Sequence, residues 1–116
     1  MLAYSPLARG LLTGKYIENN IPIGSRLSRD DKIKNIVNEN STQAVKGYVS
    51  LAKKYNIDPI HMALTFCKER PFMGSVIFGA TSISQLRRIL KGLDLKLSLE
   101  INNEIKNLFK VYPLTF

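Results

Sequence analysis

Apolar residues recur through the middle of the chain at the three- and four-residue spacing that places side chains on one helix face. The first such stretch begins at Ser41 and is expected to end at Asn56. Its apolar positions are Ala44, Val45, Tyr48, Val49, Ala52 and Tyr55. This spacing predicts a helix that packs all six side chains, including both tyrosines, into a core.

A second helix is marked by the residues that begin and end it. Asp58 is a natural N-cap, because its carboxylate can accept hydrogen bonds from free amides, and Pro59 suits the first helical position. Pro71 cannot continue a helix, since its ring blocks the preceding turn. The sequence therefore predicts a helix between Asp58 and Pro71.

A short apolar run, Ser75-Val76-Ile77-Phe78, has the composition of a buried parallel strand. It leads into Gly79-Ala80-Thr81-Ser82, and Ser82 with Gln85 forms a capping box that opens a helix. The apolar residues that this helix is expected to bury are Ile83, Leu86, Ile89 and Leu90. A last amphipathic helix is predicted after Ser98, and the residues on its apolar face are Ile101, Ile105, Leu108 and Phe109.

The first forty residues carry weaker patterns. Leu2-Ala3-Tyr4 is predicted to be the end of a strand. Residues 5–40 are rich in Gly, Pro, Asn and Ser, which predicts a long loop. A loop of that length in a compact domain is usually functional. The predicted order is then strand end, loop, two helices, strand and two helices. This alternation predicts an α/β fold in which crossover helices join parallel strands.

Length and composition narrow the class of protein. A chain of 116 residues with a hydrophobic fraction of 45% is expected to form one domain over residues 1–116. No apolar run approaches the roughly 20 residues that cross a bilayer, and the first residues do not have the pattern of a signal peptide. Cys67 is the only cysteine, so no intrachain disulfide or cysteine metal site can form. We therefore expect a cytoplasmic protein that holds no metal and contacts no membrane.

The net charge of +8 has two interpretations. It can attract nucleic acid, a membrane or a phosphate-bearing ligand, or it can belong to a solvated basic surface. Lys and Arg are spread along the chain without a basic run that contains aromatic residues, which argues against binding of single-stranded nucleic acid. No nucleic-acid partner is expected, and a phosphorylated cofactor remains open.

The Gly79–Ser82 turn suggests a more specific chemistry. A strand followed by small residues and a capped helix collects free backbone amides and the positive end of a helix dipole at one point, which suits an anion. An ordinary strand-to-helix turn built from small residues has the same pattern. One glycine-containing turn therefore leaves both interpretations open.

Two longer motifs are more specific. Tyr4-Ser5-Pro6-Leu7-Ala8-Arg9-Gly10-Leu11-Leu12-Thr13-Gly14-Lys15-Tyr16 resembles the loop after the seventh barrel strand of aldo-keto reductases. Ser75-Val76-Ile77-Phe78-Gly79-Ala80-Thr81-Ser82-Ile83-Ser84-Gln85-Leu86 is similar to the eighth strand and the phosphate-binding turn of the same family. Their order and separation fit, and the resemblance covers essentially the whole chain. It is closest to the bacterial Tas-like branch of the family.

The resemblance implies a set of residues that contact the cofactor NADP(H). Tyr4 matches the aromatic residue that stacks on the nicotinamide ring, for which a flat amphipathic ring is suited. The loop over the pyrophosphate corresponds to Ser5, Pro6, Leu7, Ala8 and Arg9. Lys15 and Arg26 fall where family members with a longer loop place cations near the cofactor phosphates. Gly79 and Thr81 match the turn around the adenosine 2′-phosphate, which the side chain of Gln85 reaches.

One departure from the family pattern concerns adenine. The family often has a Glu-Asn pair there, whereas this chain has Arg88 and Ile89. Ile89 cannot hydrogen-bond adenine, while Arg88 can stack on the ring or assist the 2′-phosphate. No acidic residue lies within 79–88 to favour a free ribose hydroxyl, so we expect NADP rather than NAD.

The resemblance also implies a fold that is larger than this chain. The family fold is a TIM (β/α)8 barrel of roughly 250 residues, and this chain corresponds to the last two βα units plus a C-terminal helix. The catalytic Asp, Tyr, Lys and His of the family come from earlier strands, so no catalytic residue is assigned. His61, the only histidine, is interpreted as a helix residue at or near the surface.

The resulting prediction is the C-terminal, cofactor-binding portion of an NADP(H)-dependent aldo-keto reductase that reduces aldehydes or ketones. By itself the chain is expected to be inactive, with the N-terminal portion of the barrel as its partner. The alternatives are a module that binds a nucleotide without catalysis and a helical interaction protein that has lost the site.

Overall fold

The computed structural model of the protein describes residues 1–113, without the side chains of residues 19, 32 and 33. The regular elements, in chain order, are β1 (Leu2–Tyr4), α1 (Arg26–Arg29), α2 (Asp31–Lys34), α3 (Glu39–Lys54), α4 (Pro59–Lys68), β2 (Ser75–Ile77), α5 (Ile83–Leu90) and α6 (Leu99–Val111). Two 3-10 segments, Ala8–Thr13 and Ile17–Asn19, lie between β1 and α1.

The two strands form a parallel pair. Leu2 lies opposite Ser75, Ala3 opposite Val76 and Tyr4 opposite Ile77. The long connection that contains α3 and α4 returns the chain to the same end of the sheet, as a parallel pair requires. The predicted α/β arrangement is therefore confirmed for these elements, and a parallel pair of strands is consistent with part of a barrel.

The start of α3 lies two residues before the predicted one. Asn38 is the N-cap, and its side chain accepts a hydrogen bond from the Ser41 amide at 2.9 Å. The Ser41 hydroxyl accepts in return from the Asn38 amide at 2.9 Å and donates to the Ile36 carbonyl at 2.7 Å. Ser41 thus belongs to the cap, but as its third helical residue.

The boundaries of α4 agree with the helix signals in the sequence. Asp58 Oδ1 accepts from the Ile60 amide at 2.9 Å, and Pro59 is the first helical residue. The helix ends at Lys68, before Pro71. The N-cap prediction at Asp58 is confirmed.

Residues 5–40 contain more regular structure than the predicted loop. Both 3-10 segments and the short helices α1 and α2 lie in this region. An apolar cluster explains the difference: Leu11, Tyr16 and Leu27 are buried together against Val45 of α3. The Leu27 amide also donates to the Tyr16 hydroxyl at 3.3 Å. Burial of scattered apolar residues thus orders a segment that has little periodicity.

The main core lies among α3, α4 and α6. Its buried members are Leu51, Ala52, Met62, Leu97, Ile101 and Ile105. Tyr48 and Tyr55 pack against them, as the spacing predicted. Phe109 was expected on the buried face of α6, but 55% of it is exposed. The apolar face of α6 is wider than the surface that α3 covers.

The prediction for α5 is correct for its start and wrong for its burial. The Ser82 hydroxyl accepts from the Gln85 amide at 3.2 Å, which confirms the cap. Of the four apolar residues, only Ile89 is buried, whereas Ile83, Leu86 and Leu90 are exposed. An amphipathic pattern predicts which face of a helix is apolar. Burial of that face also requires another segment that packs against it, and within residues 1–113 such packing reaches only one side of the face.

Gly92, just after α5, provides a test of how closely α5 approaches α4. A Cβ atom built on Gly92 would lie 2.2 Å from Cγ and 2.8 Å from Cβ of His61. Gly92→Ala must therefore move His61 or α5, and we expect a loss of roughly 1–3 kcal/mol in the free energy of unfolding, measured with urea. Gly79→Ala is the matched control, because a Cβ there meets nothing within 4 Å. Equal free energies of unfolding for the two variants would show that the contact between Gly92 and His61 rearranges without loss of stability.

Candidate functional site

The parallel pairing brings the two sequence motifs to one edge of the sheet. Because Tyr4 pairs with Ile77, both strands end at the same level. The loop that begins at Ser5 and the Gly79–Ser82 turn therefore leave the sheet side by side. Binding sites of parallel α/β proteins lie at this carboxyl edge of the strands.

Residues 1–113 leave one face of the two-stranded sheet uncovered. Leu2, Tyr4, Ser75 and Ile77 share this face, which we call the open face, because successive side chains of a strand alternate between its sides. The exposed fraction is 76% for Tyr4 and 50% for Ile77. On the opposite face, Ala3 and Val76 are half-buried. Within residues 1–113, the Tyr4 ring is therefore largely exposed.

The loop after β1 has an unusual backbone. Ser5, Ala8 and Arg9 have φ angles of 56°, 48° and 59°, in the left-handed region that residues other than glycine seldom adopt. The Ala8 amide donates to the Ser5 carbonyl at 2.9 Å, and the buried side chain of Leu11 anchors the loop. Clusters of such conformations are typical of ligand-binding and catalytic loops. The sequence did not predict this strain.

Lys15 and Arg26 lie in neighbouring parts of the structure. The Lys15 ammonium is 5.0 Å from the centre of the Tyr16 ring. Arg26 is exposed at the start of α1, next to Leu27, whose amide binds the Tyr16 hydroxyl. Tyr16 therefore connects the segment that carries Lys15 with the segment that carries Arg26.

The Gly79–Ser82 turn is exposed, and the side chain of Gln85, in the first turn of α5, binds Thr81 within it. Gln85 Oε1 accepts from the Thr81 amide at 2.9 Å and from the Thr81 hydroxyl at 3.1 Å. Gln85 therefore binds Thr81 rather than completing the capping box with the Ser82 amide. The Gln85 side-chain NH2 remains a donor, and the first amides of α5 have no partner within the helix. The turn offers hydrogen-bond donors to an anion.

Arg88 pairs with a carboxylate of α4. Its Nε lies 2.6 Å from Asp58 Oδ2, and its Nη2 lies 3.1 Å from Asp58 Oδ1. Partial burial raises the pKa of the Asp58 carboxyl, but hydrogen bonds from Arg88 and from the Ile60 amide outweigh burial, and the net pKa lies below its usual value. This pair could not be predicted from the sequence, since its members are thirty residues apart.

A cleft of about 280 Å³ separates α5 from α4 and β2. Its walls are mainly apolar and include Leu64, Val76, Phe78, Ile89 and Leu93, together with His61. The underside of α5 is therefore only partly packed.

The tyrosines of the helical core make structural contacts. Tyr55 donates to Glu104 Oε1 at 2.6 Å, which raises the pKa of Tyr55 well above its usual value. Lys54 also binds this carboxylate, at 2.8 Å. Burial raises the pKa of Tyr48 as well. These contacts join α3 to α6 and lie in the helical core rather than in either motif at the sheet edge.

His61 and Cys67 have structural surroundings. His61 is half-buried, as expected for a helix residue near the surface, and its Nε2 donates to the Arg88 carbonyl at 2.5 Å. Cys67 is half-buried, and burial raises the pKa of its thiol. Among the helices of residues 1–113, none is long and apolar enough to cross a membrane.

Comparison with known proteins identifies a family that matches most of the chain. Residues 1–110 match the Aldo/keto reductase family. The chain is 38% identical to the protein Tas of Escherichia coli over 112 residues, which are 97% of this chain and 32% of Tas.

Two further relatives have names that refer to different activities. A probable voltage-gated potassium channel subunit beta of Oryza sativa is 35% identical over 81% of this chain and 30% of that protein. The L-glyceraldehyde 3-phosphate reductase of Escherichia coli is 33% identical over 80% of this chain and 28% of that enzyme. The chain spans about a third of the length of these relatives. From the family match over residues 1–110, the chain belongs to the aldo/keto reductase family.

Proposed function

We propose that this chain is the C-terminal, cofactor-binding portion of an NADP(H)-dependent reductase that acts on aldehydes or ketones. The observation that carries the proposal is the parallel pairing of β1 and β2, which puts the Tyr4 loop and the Gly79–Ser82 turn at one edge. Family membership supports a nicotinamide cofactor. When bound, that cofactor supplies the hydride that reduces a carbonyl group.

The residues after β1 would hold the nicotinamide half of the cofactor. Tyr4 offers an exposed aromatic ring on the open face, which suits stacking on a flat ring. The backbone of Ser5, Pro6, Leu7, Ala8 and Arg9 would cover the pyrophosphate, and its left-handed residues keep the loop in one shape. Lys15 and Arg26 would supply positive charge to the phosphates.

The turn after β2 would hold the adenosine 2′-phosphate. The donors would be the backbone amides around Gly79 and at the start of α5, together with the side-chain NH2 of Gln85, which Thr81 orients. Because Gln85 Oε1 is already bound to Thr81, the amide group is oriented before a ligand arrives. No carboxylate lies within residues 79–88 to repel a phosphate or to favour the ribose hydroxyl of NAD.

The proton donor of the reaction would come from outside this chain. No catalytic residue is assigned here, and the proposed partner is the remaining portion of the barrel, either in the same polypeptide or in a separate one. It would complete the sheet around the open face and bring the catalytic groups to the same carboxyl edge. A single cysteine, which cannot form an intrachain disulfide, supports a location in the cytoplasm.

Gln85 provides the test of the proposed site. Gln85→Leu removes the amide donor at similar volume, and a hydrogen bond to a charged group contributes roughly 1.5–3 kcal/mol. We therefore expect the affinity for NADP+ to fall about tenfold to a hundredfold, with little change for NAD+, as measured by isothermal titration. Gln43→Leu, at an exposed position of α3, is the matched control. Equal losses for the two cofactors would contradict a 2′-phosphate site at this turn.

A further inference from the structure

Arg88 occupies a place where direct contact with the cofactor would be the simple expectation. We infer instead that Arg88 is a positioning residue, which acts through Asp58 to hold α5 against α4. The Gly79–Ser82 turn, which directly precedes α5, is held in place with it. The inference deepens the proposed function and rests on it for the identity of the ligand at the turn.

The first support is the geometry of the ion pair. Two nitrogens of the guanidinium group face the two oxygens of Asp58, at 2.6 and 3.1 Å. Such two-point pairing fixes direction as well as distance, unlike most surface ion pairs. The exposed fraction of the side chain is 52% for Arg88 and 22% for Asp58. Asp58 is itself fixed, because Oδ1 also accepts from the Ile60 amide as the N-cap of α4.

The second support is that few contacts within α5 itself attach it to α4, although just beyond its end Gly92 packs on His61 and Lys68 Nζ donates to the Leu93 carbonyl. Ile89 is its only buried residue, and a cleft of about 280 Å³ separates the helix from α4 and β2. The other direct polar contact to α4 is made by the backbone of the same residue, since His61 Nε2 binds the Arg88 carbonyl at 2.5 Å. Side chain and backbone of Arg88 thus both attach α5 to the first turn of α4.

A loosely packed helix needs such an attachment if its N-terminus is to hold a ligand in a fixed place. Gln85 lies one turn before Arg88 in α5, and its side chain closes the turn through Thr81. Rotation of α5 about its axis would move Gln85 and Thr81 together. The Asp58–Arg88 pair opposes that rotation. The Asp58 carboxylate therefore helps to keep the ligand site in place without contacting the ligand.

A double-mutant cycle tests this role in the full chain. Asp58→Asn removes the charge but keeps a good N-cap for α4, and Arg88→Gln removes the other partner. Amide hydrogen exchange over residues 79–90 is expected to be faster in each single variant than in the unchanged chain. The double variant should exchange no faster than either single variant. Arg87→Gln removes the same charge from the same helix and is the control for general electrostatics. Unchanged exchange in Asp58→Asn, or additive effects in the double variant, would overturn the inference.

Adenosine 2′,5′-bisphosphate, which carries the 2′-phosphate without the nicotinamide, is the binding probe. We expect Asp58→Asn and Arg88→Gln each to weaken its binding about tenfold, with no further loss in the double variant and a smaller loss in Arg87→Gln. Weaker binding in Arg88→Gln with full binding in Asp58→Asn would mean direct contact and would overturn the positioning role. If the unchanged chain does not bind the probe, the proposed function fails, and the exchange cycle decides the role of Arg88 by itself.

Discussion

The chain by itself is expected to give no NADPH-dependent reduction of a reactive aldehyde. Reduction of a carbonyl requires a positioned proton donor, and a positioned acid or base typically contributes roughly 10²–10⁴-fold to the rate. Tyr48 and Tyr55 lie in the helical core, away from the sheet edge, and Tyr16 is buried in the apolar cluster beneath the loop. Tyr4 lies at the edge of the sheet, and in the proposed site its ring stacks on the nicotinamide. The measurement is the loss of NADPH absorbance with purified chain.

Activity should appear when the barrel is completed. Co-expression with the part of Escherichia coli Tas that this chain does not match, about two thirds of that protein, supplies the missing strands. We expect NADPH consumption by the purified complex, and Tyr4→Ala should reduce it by weakening the nicotinamide site. Steady turnover by the chain alone, surviving a second purification and unchanged in Tyr4→Ala, would contradict both the proposed division of labour and the role of Tyr4.

The open face should make the isolated chain associate, either with copies of itself or with the remainder of a barrel. Burial of an isoleucine side chain contributes roughly 1.5–3 kcal/mol. Ile77→Thr, at the carboxyl end of the open face, should therefore raise the dissociation constant for self-association about tenfold. Sedimentation velocity over a range of concentrations measures this constant.

Ile23 provides the control for that experiment. It is 103% exposed in the loop region and lies outside the open face, so Ile23→Thr makes the same chemical change without affecting the sheet. We expect its dissociation constant to equal that of the unchanged chain. A monomer with a sharp unfolding transition that is independent of concentration would contradict the expectation for the open face.

The sequence predicted best those features that depend on neighbouring residues. The caps at Asp58, Ser82 and Ser98 are local hydrogen bonds, and all three are present. The start of α3 was misplaced because Ser41 can serve as an N-cap or as the third residue of a cap, and only the conformation of Asn38 decides between them. Local chemistry thus gives helix ends to within a few residues.

Features that depend on distant contacts could not be predicted in the same way. The apolar stripe of α5 was evident, yet its burial depends on which segments lie above it, and Ile83 remains exposed. The Asp58–Arg88 pair depends on the approach of two helices. For the candidate site, the sequence identified Tyr4 and the Gly79–Ser82 turn, while the parallel register determines that they lie at one edge.

The left-handed residues of the β1 loop have a consequence for how a ligand would be captured. Ser5, Ala8 and Arg9 hold the loop in a conformation that a free peptide rarely visits. Folding, through the anchors Leu11 and Tyr16, has already removed the conformational entropy that a disordered loop would lose on binding. Association can then proceed without a slow ordering step, and differences in affinity between related ligands would appear mainly in their residence times.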